Sequence, residues 1–196
     1  MTPSFSQKRL IEALRNEIGH TRGSCPFDHF FCLNSGSEAV TLGARISDIN
    51  AKIATDPGGR HAGKPIRILG LKSAFHGRTD RPARFSDSTR ATYCKHLASF
   101  RDQDNLLTVE PNNIQQLEQV FEYAENNGLF IESLFVEPVQ GEGGFIAPPP
   151  GYFQELVKIC HDNGILFVAD EIQSGMGRTG KMFAIEHWGV EPDLIT

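Results

Sequence analysis

The sequence lacks any apolar run approaching the length needed to cross a bilayer, and the opening MTPSFSQKRLIEAL has no signal-type apolar core, so neither a membrane span nor a secretory leader is expected. Cysteine is scarce. Cys25, Cys32, Cys94 and Cys160 are the only four, none forms a C-x-x-C pair, and they are too sparse for a disulfide scaffold, which points to free thiols in the cytoplasm. Positive charge is thin as well. The 19 Lys and Arg are scattered against 24 Asp and Glu, giving a net charge of −5, so nucleic acid is not an expected partner. There is no P-loop, no H-x-x-x-H and no Cys/His set of metal-binding spacing, so no metal is expected. Internal repeats and low-complexity segments are also missing.

What is present is the composition of a globular chain, 39% hydrophobic and 22% charged over 196 residues, enough for one core of ordinary size. Gln7 to His20 has the apolar spacing of a helix through Leu10, Ile11, Leu14 and Ile18, and Ser4 with Gln7 has capping-box spacing. His29–Leu33 reads as a short strand. A helix follows Glu38 with the seam Ala39, Leu42, Ile46, Ile49 and Ile53, and residues 55–65 form a Gly- and Pro-rich loop. Ile66–Leu71 reads as a buried strand, while the polar stretch Lys72–His96 has no clear period. Asn112 and Gln115 are placed to cap a helix showing Ile114, Leu117, Val120, Phe121 and Ala124 to the core. Strand Ile131–Val136, helix Tyr152–Asn163 with Gly164 as its stop, strand Ile165–Ala169, a short helix near Met182–Trp188 and a last strand at Leu194–Thr196 complete the pattern. Alternating strands and helices predict an α/β fold with a mainly parallel sheet covered by helices on both faces. Ligands of such sheets sit beyond the carboxyl ends of the strands, where Asp170, Glu137 and the residues after Leu71 are expected.

Each candidate site has a chemical and a plain reading. Ser35-Gly36-Ser37-Glu38 at a helix start offers free N–H groups and a helix dipole to a phosphate, or is a capping box of Ser35 with Glu38. Asp170 at a strand mouth would hold a cationic ring nitrogen, or cap the next turn. Phe75 would stack on a flat cofactor and Arg78 would fork onto a carboxylate, or they are a core aromatic and a surface arginine. His76 between them is an acid–base group or a hydrogen-bonded structural one. Glu137 and Glu142, five residues apart, suit acid–base work or arginine pairing, or mark a solvated turn. Gly175-Met176-Gly177-Arg178-Thr179-Gly180 matches G-x-G-x-x-G, but five residues separate it from the strand and two of them are acidic, which argues against a dinucleotide.

Taken in order, Asn34-Ser35-Gly36-Ser37-Glu38-Ala39, Phe75-His76-Gly77-Arg78-Thr79, Glu137 to Gly144 and Asp170 to Gly180 resemble the class III aminotransferases, the ω-amino-acid transaminases that include the 4-aminobutyrate, acetylornithine and ornithine enzymes. The likeness runs from Phe30 to Thr196. It is densest from Phe135 onward and thinner across residues 52–65 and 80–101. It implies a fold-type-I large domain, pyridoxal 5′-phosphate (PLP) as cofactor, amino-acid and 2-oxo-acid substrates, and a homodimer. On the resemblance, Gly36 and Ser37 hold the phosphate, Phe75 and Ile172 cover the two ring faces, Asp170 pairs with the ring nitrogen, and Gln173 bonds the ring hydroxyl. Arg78 takes a substrate carboxylate, and Glu142 gates the pocket through an arginine elsewhere in the family's chain. The family's Schiff-base lysine follows a D-[LI]-[IV]-T stretch, which here is Asp193-Leu194-Ile195-Thr196. Neither Lys158 nor Lys181 fits. The lysine, an N-terminal segment and the C-terminal small domain are therefore expected outside residues 1–196, a partial large domain that by itself is not expected to transaminate. A same-fold aminomutase or racemase and a non-catalytic partner subunit are the competing readings.

Overall fold

The computed structural model of the protein describes residues 4–101 and 105–196. The chain divides into two compact units, Met1–Ser35 and Gly36–Thr196. The first holds helix α1 (Phe5–Arg22), which opens with the expected reciprocal capping box between Ser4 and Gln7 and ends at Gly23 in the left-handed conformation. Within this unit Arg15 donates to the Asp28 carbonyl at 2.5 Å and lies 5.2 Å from the Phe30 ring centroid. The strand expected at His29–Leu33 is a correction: the segment is irregular, and Phe31 and Leu33 are exposed, so the apolar run has no buried face to form.

The second unit is an α/β layer structure. Its strands are β1 (Ile66–Leu71), β2 (Leu106–Val109), β3 (Phe130–Val136), β4 (Leu166–Ala169) and β5 (Leu194–Ile195), all parallel, in the order β2-β1-β3-β4-β5. Every residue of β3 is buried, as a central parallel strand covered on both faces requires. The helices are α2 (Gly36–Thr55), α3 (Asp80–Phe85), α4 (Asp87–His96), α5 (Ile114–Asn126) and α6 (Tyr152–Asp162), with 3-10 turns at Ala98–Phe100 and Ala184–Trp188. One core cluster gathers Leu69, Leu117, Leu134, Phe153, Leu156 and Phe167; a second gathers Val40, Ala44, Phe85, Phe135 and Val168. Leu156 is fully buried on α6, and a Leu→Ala change at such a site costs about 2–5 kcal/mol. Among the described residues no helix is long and apolar enough to cross a membrane.

Three details differ from expectation. The buried face of α2 is Val40, Gly43, Ala44, Ser47 and Ala51, while Ile49 and Ile53 are 57% and 69% exposed. Small residues face the sheet because the helix packs close: a side-chain carbon on Gly43 would lie 3.6 Å from the Phe135 ring. The cap of α5 is Asn113, whose Oδ1 accepts from Gln116 N at 2.9 Å, one residue later than expected. The unassigned stretch after β1 forms α3 and α4, and β2 is a strand that no periodicity announced.

Candidate active site at the carboxyl edge of the sheet

Three segments leave the carboxyl ends of β1, β3 and β4 and meet. From β4 the chain runs straight into Asp170, whose N–H donates to Val136 O at 2.8 Å, so the end of β4 is tied to the end of β3. Asp170 is 4% exposed. Its Oδ2 lies 2.8 Å from His76 Nδ1, and its Oδ1 accepts from Ile172 N at 3.3 Å. A carboxylate only accepts, so in this bond Nδ1 carries the proton. His76 is itself fully buried, 5.5 Å from Phe85 and 6.0 Å from Phe135 between ring centroids, and its Nε2 has no hydrogen-bond partner among the described residues. The histidine therefore holds Asp170 through its Nδ1–H at 2.8 Å.

The segment from β1 carries Phe75, His76, Gly77 and Arg78. Buried Ser86 pins it: Ser86 Oγ accepts from His76 N at 2.9 Å and donates to Pro82 O at 2.9 Å, with Gly77 O 3.2 Å away. Gly77 sits at φ +114°, and a side chain there would lie 2.5 Å from Ser37 Oγ. The close approach lets Arg78 N donate to Ser37 Oγ at 3.2 Å, while the Thr41 and Thr79 hydroxyls donate to Ser37 O at 2.7 and 3.2 Å. Arg78 is exposed, with its guanidinium 5.8 Å from the half-buried Phe75 ring.

The segment from β3 carries Glu137, Gln140, Gly141 and Glu142. Glu137 is buried and accepts from Phe75 N at 2.9 Å and from Gly141 N at 3.4 Å. Burial lifts its carboxyl above the usual range against the opposing pull of His76 and of these two N–H groups. Glu142 stands exposed on the following loop.

The expected site residues thus come together in pairs. A carbon on Gly36 would lie 2.7 Å from Ile172, so the start of α2 and the residue after Asp170 are in contact range. Any carbon on Gly141 would overlap the Gln173 amide. Ile172 is half exposed and Gln173 exposed, in contrast to buried Asp170. Glu171, the neighbour of Asp170 and equally buried, turns inward: it accepts from Ser174 Oγ and from Ile185 N, both at 2.7 Å, and burial raises its carboxyl. The G-x-G-x-x-G stretch is a series of turns that opens no α-helix, so it lacks the frame of a dinucleotide site. Sequence reasoning left His76 and Glu137 undecided and did not single out Ser86. Their partners lie 94, 62 and 10 residues away, and no spacing signals such contacts.

The aminotransferase class-III family model matches residues 2–196. A transaminase from the marine bacterium Virgibacillus is 34% identical, with a TM-score of 0.68 over 83% of this chain and 36% of its own. The taurine:2-oxoglutarate aminotransferase of Bifidobacterium kashiwanohense, solved with PLP and glutamate, is 22% identical with a TM-score of 0.72 over 99% of this chain and 43% of its own. The N-acetylornithine aminotransferase of Stenotrophomonas maltophilia is 24% identical with a TM-score of 0.69 over 99% and 42%. The chain spans about two fifths of the length of these solved relatives. The five-stranded parallel sheet is that of the fold-type-I aminotransferases. The protein belongs to the class III aminotransferases, whose cofactor is pyridoxal 5′-phosphate.

Proposed function

We propose that this chain forms the cofactor-binding large-domain portion of a PLP-dependent aminotransferase that moves an amino group from an ω-amino acid to a 2-oxo acid. The observation that carries the reading is Asp170: a buried carboxylate at the sheet mouth, held at 2.8 Å by the His76 ring. The residues fit the cofactor. α2 begins at Gly36, beside Ser37, and turns its positive dipole end toward a phosphate bound there. Phe75 and Ile172 would cover the two faces of the ring, and Gln173 would bond the ring hydroxyl. Bound PLP supplies an electron sink, deepest when its ring nitrogen is protonated. Asp170 holds that proton in place, His76 orients Asp170, and Phe75 with Ile172 excludes water from the ring faces.

Arg78 is assigned to a substrate carboxylate on its exposure and its position over Phe75. Glu142 is assigned to the gate. A homodimer and a cytoplasmic location complete the proposal, the latter supported by four free cysteines. The test is a PLP titration followed by absorbance and induced circular dichroism. Saturable binding with an induced signal, weakened by Asp170→Asn, is expected; a featureless titration defeats the reading. An amino-donor screen with 2-oxoglutarate, including taurine and N-acetylornithine, then separates a transaminase from a mutase.

A further inference from the structure

Glu137 lies at the crossing of the three segments that carry the proposed site. Its Oε2 accepts from Phe75 N at 2.9 Å, and its Oε1 accepts from Gly141 N at 3.4 Å. Gly141 precedes Glu142 and packs so closely on Gln173 that no side-chain carbon fits between them. A second tie runs in parallel: Gln140, also buried, donates from Nε2 to Lys72 O at 3.0 Å. The loop is then pinched by Gln140 N donating to Ile146 O at 3.0 Å. The strand-exit segments of β1 and β3 are neighbours because the strands pair. Pairing alone fixes them only as far as Leu71 and Val136, and Glu137 carries the register one step beyond the sheet, into the segments that would face a ligand.

We propose that Glu137 is a positioning residue of the cofactor site: one buried carboxylate sets the Phe75 ring, the Glu142 loop and, through Gly141, the Gln173 amide relative to one another. It touches no reacting atom. It acts through two backbone N–H groups, which no side-chain substitution at Phe75 or Gly141 would remove. The proposal rests on the PLP reading above. A carboxylate suits this task because both of its oxygens accept and share the negative charge, and hydrogen bonds to charged groups are about twice as strong as neutral ones.

The test compares Glu137→Gln with Glu132→Gln, a buried glutamate on the same strand that faces Arg81 rather than the site segments. Amide hydrogen exchange of the chain without PLP is measured first. Exchange at Phe75 and Gly141 is expected to speed up together by about tenfold in Glu137→Gln, the loss of one charge-assisted bond, and to stay unchanged in Glu132→Gln. The PLP titration follows. Glu137→Gln is expected to weaken PLP about tenfold and to flatten its induced circular dichroism, because a loosened Phe75 no longer fixes the ring. Unchanged exchange at both amides overturns the inference whether or not PLP binds, as does an equal effect of both substitutions on the dichroism. Coupled exchange in a chain that gives no PLP signal refutes the cofactor reading, and with it the positioning role.

Discussion

A buried glutamate lies toward each end of strand β3, Glu132 within it and Glu137 just past it, and the two are held by different means. Near the amino end, Glu132 is 2% exposed and is paired to Arg81 at 2.7 Å, which also reaches Asp48 at 3.3 Å. Beyond the carboxyl end, Glu137 is answered by two backbone N–H groups, and nearby Asp170 by the ring nitrogen of His76. A structural acid is thus neutralised by the chain's own cation, α3 to β3. The acids at the opposite edge are met by backbone N–H groups and a histidine ring rather than by an arginine. On the proposed function, the cation that Asp170 would face is a protonated pyridine nitrogen.

Removing the cation at the structural end should give the largest effect. Arg81→Ala leaves Glu132 buried beside Asp48 with no counter-charge, and is expected to cost about 3 kcal/mol of stability, the lower end for a broken buried pair because Arg81 is partly exposed. The urea midpoint should fall with little change of slope. Glu132→Gln leaves Arg81 with Asp48 and should cost less. If both lose the same amount, the arginine is not what neutralises this end and the contrast collapses.

The site end should respond in ligand binding instead. Asp170→Asn keeps the shape and a carbonyl acceptor for His76, and removes the charge. PLP affinity is expected to fall about ten- to hundredfold, the worth of a hydrogen bond to a charged group, with a smaller change in the urea midpoint. Equal losses in both measurements would make Asp170 a structural acid like Glu132.

Between these lies Ser86, which tests whether the site end is held by the turn after β1. Ser86→Ala strips the acceptor from His76 N and is expected to cost about 1–3 kcal/mol, the price of a buried N–H left unsatisfied. The loss should appear in thermal unfolding. A neutral outcome would mean that the Phe75–Arg78 turn is fixed by Glu137 and the sheet alone.

How much of this was legible in sequence divides along the same line. β1 fell on the expected residues, and β3, β4 and α6 within one, because buried parallel strands and a strongly one-sided helix leave a local periodic trace. The candidates Gly36, Ser37, Phe75, Asp170, Ile172 and Gln173 were named by their wording, and the fold sets Gly36 against Ile172 and Asp170 against His76. What failed was whatever a local pattern does not encode. The α2 seam was assigned to the bulky Ile49 and Ile53, yet the sheet selects the small Gly43, Ala44 and Ser47 because closeness, not bulk, decides that face. The four-residue β2 is too short for a period and forms only because β1 is beside it. His76 and Glu137 looked ambiguous since a lone titratable residue has no identity until a distant partner defines it.

The smallest expected effect concerns pH, and it sharpens the contrast from the side of Glu171. Glu132, Glu137 and Glu171 are all raised by burial above the ordinary 4.5. The folded chain therefore holds more protons than the unfolded chain in the window from 4.5 up to the raised values, so these three contribute stability that is full below that window and is lost as pH rises through it. His61, lowered from 6.5, has the opposite sign and gains stability as pH rises. The two trends overlap, so the informative quantity is the difference between the parent chain and Glu171→Gln. Gln can still accept from Ile185 N and donate to Ser174 Oγ, which keeps the geometry that joins the Asp170 segment to the Ala184–Trp188 turn. The His61 contribution cancels in the difference, and urea stabilities measured across the window should show the variant gaining on the parent as pH rises above 4.5, then running parallel to it. Curves that stay parallel throughout would mean Glu171 is ionised in the fold at no cost, its charge sustained by the hydrogen bonds from Ser174 and Ile185.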